Sequence, residues 1–184
     1  MPEPDATRTV TVLPTEELTP ALRSAVIDVC NAANDTDLFH ELFSFIPSGG
    51  RHVLVSEGDR LVSHAVATTR HAQPEGHPVL HTAFLDAVAT LPEAQHRGHG
   101  SAAVGRLAEE ITDYEIGCLQ TDVVGFYEPL GWELWRGPLA GRGDDGLIPT
   151  PDQTGVMVLR LPRTPPLDLD GLLTIEPQPS RIWE

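Results

Sequence analysis

The chain has 184 residues, 40% of them apolar, and a formal net charge of −15 from 27 acidic and 12 basic side chains. That length suits one domain with an adequate core. The charge argues against nucleic acid, whose binders need a basic face, and suits either plain solubility or a cationic small-molecule partner. No apolar run approaches the roughly 18 to 20 residues of a membrane helix, so no membrane partner is expected. The opening Met1-Pro-Glu-Pro-Asp-Ala6 has no basic segment followed by an apolar one, so no secretory leader is expected. Cys30 and Cys118 fit no metal or redox spacing and have apolar neighbours, which predicts buried free thiols in a cytoplasmic protein.

In chain order, Thr9 to Leu13 alternates like a first strand. Thr19-Pro20 reads as an N-cap followed by a first-turn proline, with Leu22, Val26, Val29 and Ala33 at helical spacing behind it. After Asn34 to Asp37, Thr36 caps a second short helix with Leu38, Phe39, Leu42, Phe43 and Ile46 on its apolar side, closed by Pro47 to Gly50. His52 to Val55 and Leu61 to Thr69 predict a hairpin across Glu57-Gly58-Asp59. A polar loop is expected over Arg70 to Pro78, and a long central strand over Val79 to Thr90. Further on, Gly117 marks a break before a short strand at Cys118 to Thr121. Val123 to Leu130 reads as a short helix closed by Gly131. Trp132 to Arg136 is a strand candidate, Gly137 to Pro151 a Gly/Asp/Pro-rich loop, and Gly155 to Leu161 a last alternating strand. The tail from Pro162 to Glu184 lacks periodicity yet is apolar enough to fold back over a single domain spanning residues 1–184. Helices and strands alternate but include hairpins, so the class is α/β with a mixed sheet.

The stretch Asp86 to Ala103 organises this chain. Its strand ends near Thr90, because Pro92 cannot donate to a ladder. The turn Gln95-His96-Arg97-Gly98-His99-Gly100 opens a helix carrying Val104, Leu107, Ala108 and Ile111 on one side. Glycines at a helix entrance admit a ligand close to the backbone. The unpaired first amides and the positive end of the helix favour an anion there. Arg97 and the Ser101 hydroxyl could add donors. The reading is a phosphate or pyrophosphate cradle; a turn that merely joins strand to helix is the plainer alternative. The loop is not a Walker A motif, since no Gly-Lys-Ser/Thr follows, and it lacks the Gly-x-Gly-x-x-Gly of a dinucleotide fold.

Gln95-x-x-Gly98-x-Gly100 after a strand and a Pro-Glu pair resembles the acetyl-CoA motif of the GNAT acetyltransferase superfamily. Phe126-Tyr-Glu-Pro-Leu-Gly-Trp132 is similar to that family's tyrosine–glycine–aromatic element, whose tyrosine stands near the CoA sulfur. Three pieces resemble the aminoglycoside 2′-N-acetyltransferases in particular: Asp86-Ala-Val-Ala89, Gly131 to Pro138 followed by Thr150 to Gly155, and a tail closing on Trp183. The resemblance departs at Asp86, a methylene shorter than that family's glutamate, at Arg181, which replaces an acid, and over Arg142 to Ile148.

The resemblance implies a central mixed, mostly antiparallel sheet flanked by helices. It implies an enzyme moving acetyl from acetyl-CoA directly to a primary amine, with an aminoglycoside 2′-amine as the first candidate acceptor and a homodimer as the assembly. A polyamine, amino acid or peptide N-terminus as acceptor, or a non-catalytic CoA-binding domain, are the alternatives. The cofactor would lie along Val88, Ala89 and Thr90 and over Gln95, His96, Arg97, Gly98, His99, Gly100 and Ser101. The Val88 amide would receive the thioester oxygen. Asp86 would be the general base, or only hold the cation; Tyr127 would be the acid for the leaving thiolate, or only a packing aromatic. Substrate cations would meet Asp35, Asp37, Asp86 with Ala87, Asp152, Glu176 and Trp183. His77-x-x-x-His81 and His96-x-x-His99 have no Cys or Glu at ligand spacing, so no metal is expected. Trp132 and Trp135 are expected in the core or at a dimer contact.

Overall fold

A computed structural model describes residues 7–179 and 181–183. The opening Met1-to-Ala6 segment, where no leader was expected, therefore lies outside the described residues. The protein is a mixed α/β fold in two compact units. One contains residues up to Thr68 together with Asp86–Glu110; the other contains Thr69–Leu85 and Ile111–Glu184.

The first unit begins with strand β1 (Arg8–Pro14), which pairs antiparallel with β2 (Arg51–Glu57). β2 in turn pairs antiparallel with the start of β3 (Arg60–Pro74) across the turn at Gly58, as the hairpin reading required. Helix α1 (Pro20–Asn34) starts where expected: the Thr19 hydroxyl accepts from the Leu22 amide at 3.2 Å. It ends at Asp35, which takes a left-handed conformation (φ 48°). Val26, Val29 and Cys30 form its buried stripe. The short second helix is split into a 3₁₀ turn at Leu38–Glu41 and α2 (Leu42–Phe45). Leu42 and Ile46 are buried, whereas Leu38, expected on the apolar side, faces solvent. Helix α3 (His99–Glu110) packs on β2 through Ala103, Val104 and Leu107. Arg51 of β2 donates to the Glu110 carbonyl at the end of α3.

The second unit has strand order β6-β9-β5-β4-β3-β10-β7-β8. Its members are the end of β3, the start of β4 (Leu80–Thr90), β5 (Ile116–Gln120), β6 (Glu133–Leu134), β7 (Leu139–Gly143), β8 (Gly146–Pro149), β9 (Val156–Arg160) and β10 (Leu173–Ile175). The pairs β4–β5 and β7–β10 are parallel; β3–β10, β5–β9, β6–β9 and β7–β8 are antiparallel. The core gathers Phe84, Ile116, Cys118, Trp135, Val158, Leu173, Ile175 and Trp183. Helix α4 (Val124–Tyr127) and a 3₁₀ turn end at Gly131 (φ 90°), the predicted stop. Trp132 and Trp135 are both buried, as expected of core residues. Cys30 and Cys118 are buried free thiols, and burial pushes each up to about 12.

Four expectations need correction. The loop over Arg70 to Pro78 is mostly strand: β3 runs to Pro74 because Arg70 and Ala72 are buried and Ala72, Gln73 and Pro74 pair with β10. Gly117 is no break but a β5 residue; a Cβ there would come within 3.0 Å of Leu159 and 3.2 Å of Trp132, so the strand needs a residue without a side chain. Trp132 to Arg136 yields only the two-residue β6, since both indoles pack into the core instead of alternating. The loop from Gly137 to Pro151 holds the β7–β8 hairpin, closed by Asp144-Asp145 with Gly146 at φ 124°.

Gly155 accepts from the Thr121 amide at 2.9 Å, adopts φ 72°, and would place a Cβ 1.8 Å from the Thr121 carbonyl oxygen. Gly155→Ala should therefore destabilise the protein by about 3 kcal/mol, read as a lowered denaturant midpoint with unchanged slope.

Candidate functional site

In the first unit the last residues of β4 carry a sharp irregularity. Ala87 has φ 48°, a conformation that costs a non-glycine residue about 1–3 kcal/mol unless its surroundings hold it. They do so through side chains from β3 and α1. His64 Nδ1 lies 2.8 Å from the Ala87 carbonyl oxygen, and the Cys30 thiol lies 4.0 Å from the same atom. Ser63 donates to the Ala89 carbonyl at 2.9 Å and lies 2.8 Å from the Thr90 hydroxyl. Asp86, Ala87, Val88 and Thr90 are half-buried, while Ala89 is buried.

Behind His64 runs a chain of buried polar groups. His64 Nε2 is 2.9 Å from His52 Nδ1, and His52 Nε2 is 3.1 Å from the Thr15 hydroxyl. Burial, then the neighbouring His64 and Arg23, push His52 down to about 3. Burial pushes His64 down to about 4, against the Ala87 carbonyl, which favours its charged form. Both rings are thus neutral near neutral pH.

After β4, a 3₁₀ turn (Pro92–Ala94) leads into the predicted anion cradle. Gln95 returns its side-chain amide to the Thr90 carbonyl at 3.2 Å. His96 (φ 60°) and Gly98 (φ 80°) turn the backbone, and α3 closes its first bond from the Ala102 amide to the Gly98 carbonyl at 3.0 Å. The amides of His99, Gly100 and Ser101 therefore lie in the first turn, ahead of any intrahelical acceptor. Gln95 to Gly98 are exposed, and a Cβ at Gly98 would meet only the Arg8 guanidinium, at 3.8 Å. The turn is open and of the right polarity for a pyrophosphate. Arg97 is engaged by a neighbour: its two terminal nitrogens grip Glu57 of β2 at 3.1 and 2.5 Å. His99 Nε2, on a ring only 4% exposed, lies 3.0 Å from the same carboxylate.

Asp35 caps α1, and Asp37, also exposed, uses its carbonyl to receive His40 Nδ1 at 2.7 Å.

In the second unit, Tyr127 closes α4 with its ring edge-on to Phe126 and Trp132 at 4.8 and 6.1 Å. Burial pushes its phenol up to about 12, so it stays protonated and can donate a hydrogen bond throughout the physiological range. Asp152 is exposed in the turn after Thr150. Glu176 accepts from the His71 amide at 2.8 Å and lies 3.7 Å from Nε of the fully buried Arg70. Trp183 is 1% exposed, with its indole N–H on the Thr150 hydroxyl at 3.1 Å. A hollow of about 390 Å³ is lined by Thr150, Gln153, Gln178, Arg181, Ile182 and Trp183 among others. His81, of the histidine pairs, stacks on Tyr114 at 4.3 Å. Among the described residues no three His, Cys, Asp or Glu gather as a metal site, and no helix is long and apolar enough to cross a membrane.

His52, His64, Ser63 and Glu57 escaped the sequence reading. The signal was present: Ser63 and His64 are polar residues in an otherwise apolar strand hairpinned beside the motif.

Residues 16–135 match the family of the acetyltransferase (GNAT) domain. The chain belongs to that family. Acetyl-CoA is the co-substrate of GNAT acetyltransferases, and the open turn ahead of α3 fits its diphosphate. Solved structures share the fold at low identity. YhbS from Escherichia coli, a GNAT N-acetyltransferase in complex with CoA, superposes with a TM-score of 0.62 at 14% identity, covering 95% of this chain and 92% of that one. Eis1 from Mycobacterium abscessus gives 0.61 at 18% identity over 73% of this chain and 33% of that one. The ribosomal-protein-S18-alanine N-acetyltransferase of E. coli gives 0.54 at 17% identity, covering 86% and 96%. This GNAT domain thus spans about a third of the length of Eis1.

The buried histidines make the stability of the GNAT domain pH-dependent. Their folded-state values lie below the ordinary 6.5, so between about pH 6.5 and 4 the unfolded chain binds more protons than the native one. Stability should be complete above pH 6.5 and fall as the pH drops, by up to about 1.4 kcal/mol per pH unit for each ring. Urea unfolding at pH 7, 6 and 5 checks the fall, and imidazole NMR signals of His52 and His64 should not titrate above pH 5.

Proposed function

We propose that this GNAT domain transfers acetyl from acetyl-CoA to the primary amine of a cationic small molecule, with the 2′-amine of an aminoglycoside as first candidate. The observation that supports this most is the open glycine turn at the start of α3, directly after a β4 end bent at Ala87. The turn would hold the diphosphate on the amides of Gly98 to Ser101. Arg97 would exchange Glu57 for phosphate oxygens. The thioester carries the activated acetyl group. The Val88 amide would receive the charge that develops on its oxygen, a contribution whose loss typically costs 10²–10³ in rate. Asp86 would take a proton from the acceptor ammonium, which is almost fully charged at neutral pH. Tyr127 would donate to the leaving sulfur.

The acceptor's charge argues for acidic contacts. Asp35, Asp37 and Asp152 are exposed acids available for a polycation, whereas Glu176 is already engaged by Arg70 and His71. A second acceptor class draws support from Arg181. A guanidinium lining the hollow beside Trp183 suits an acceptor that carries a carboxylate, such as an amino acid or a peptide N-terminus.

Thiol release from acetyl-CoA against a panel of aminoglycosides, polyamines, amino acids and peptides tests the reading. Prompt release with kanamycin-type sugars supports the first acceptor, and release only with amino acids or peptides supports the second. Tight CoA binding without turnover on any amine would overturn acetyl transfer. Asp86→Ala should lower turnover at least tenfold with acetyl-CoA affinity nearly intact. Tyr127→Phe should lower kcat about a hundredfold, again without loss of CoA binding by calorimetry.

A further inference from the structure

The geometry points to His64 as the positioning residue for the Val88 amide. This inference rests on the acetyl-transfer reading only for the importance of that amide, not for its orientation.

The argument begins with proton placement. A carbonyl oxygen only accepts, so the 2.8 Å bond to the Ala87 carbonyl requires the proton of His64 to sit on Nδ1. A neutral ring then has Nε2 as acceptor, and His52 Nδ1, 2.9 Å away, must donate to it. His52 Nε2 is left as acceptor for the Thr15 hydroxyl at 3.1 Å. The single hydroxyl proton goes to His52 Nε2 at 3.1 Å, which is buried and needs a donor, while the Gly50 carbonyl, 3.3 Å from the hydroxyl, is already satisfied by the Thr15 main-chain amide at 2.9 Å. The chain Thr15 → His52 → His64 → Ala87 thus has one polarity, and each ring is fixed in one tautomer. The depressed proton affinities of both rings agree with it.

The second step is the peptide plane. The Ala87 carbonyl and the Val88 N–H belong to one trans peptide unit and point in opposite directions. Holding the oxygen on His64, with the Cys30 thiol 4.0 Å from the same atom, aims the Val88 N–H away from the buried histidines. The left-handed Ala87 backbone is the only non-glycine departure of its kind within β4, and a free peptide there could swing about its two flanking torsions. A preorganised donor must not reorient while charge develops. His64 supplies that rigidity without touching the reacting atoms.

Two polar variants of the full chain separate this role from plain packing. In His64→Asn, the side-chain amide nitrogen stands two bonds beyond Cβ, where Nδ1 stood, so the Ala87 arm is kept. In His64→Gln, the side-chain carbonyl oxygen stands three bonds out, where Nε2 stood, and can accept from His52 Nδ1, so the His52 arm is kept and the Ala87 donor is lost. Both are checked for cooperative melting. In coenzyme-free protein, the ¹⁵N–¹H signal of Val88 should stay near its wild-type position in His64→Asn and move in His64→Gln. With the best amine of the panel, kcat should fall at least tenfold in His64→Gln with KM for acetyl-CoA within twofold, and stay within threefold of wild type in His64→Asn. Equal impairment of the two variants, or an unmoved Val88 signal in folded His64→Gln, would overturn the assignment. Should His64→Gln fail to fold, a folded His64→Asn with a displaced Val88 signal overturns it and an undisplaced one supports it. If the wild-type protein releases no thiol with any amine, the acetyl-transfer reading falls alone, and the Val88 resonance still decides the role of His64.

Discussion

One hydrogen bond governs the first unit: the imidazole of His64 on the carbonyl of Ala87. A strand can carry a left-handed alanine only if something outside the regular ladder stabilises the peptide it turns. Here that stabilisation reaches back through His52 to Thr15 at the end of the first strand. Thr15, His52 and His64 are buried and Ala87 is half-buried, so the bonds between the side chains of the chain act where water cannot substitute for them. The cost of burying two imidazoles is met by keeping both uncharged and fully bonded.

The second unit is organised by a different buried polar group. Arg70 has no exposed surface, lies over the Phe84 ring at 4.7 Å, and donates to the carbonyls of Glu176 and Ile182 at 2.5 and 2.7 Å. A guanidinium has five donors in a fixed fork, so one side chain can gather two stretches of a tail that has little secondary structure of its own. The prolines of that tail preclude continuous pairing, and β10 spans only Leu173–Ile175. Trp183 then fills the core from the far end, anchored on Thr150.

How much of this was legible in the sequence follows from where the signals lie. The α1 cap, the hairpin at Gly58, the stop at Gly131 and the helix after Gly98 were readable because each rests on a local rule: a hydroxyl cap, a tight turn, a left-handed glycine, a 3.6-residue stripe. The fold class followed from the same elements. The continuation of β3 and the β7–β8 hairpin were not readable. Arg70 looks like loop material until a distant carbonyl is available to it, and Gly141-Arg-Gly-Asp-Asp-Gly146 looks irregular until β10 provides a neighbour. At the site, the glycine turn was visible in one dimension. The Ala87 kink was not, because nothing in Asp86-Ala-Val-Ala departs from an ordinary apolar strand; its cause sits more than twenty residues earlier, in His64.

Glu57 belongs to β2, beside the glycine turn. It pairs with Arg97 and sits against the ring of His99 at the turn proposed above to hold a diphosphate. An anion entering that turn would therefore not meet a bare guanidinium; it would have to outcompete a carboxylate already in bidentate register. Chloride or bicarbonate, with a single diffuse charge, gains little from that exchange, whereas a ligand that presents several adjacent oxyanions at once gains both the amides and the arginine. In a chain with 15 excess negative charges, such an internal competitor would favour, at the anion site proposed above, a polyphosphate over small ions.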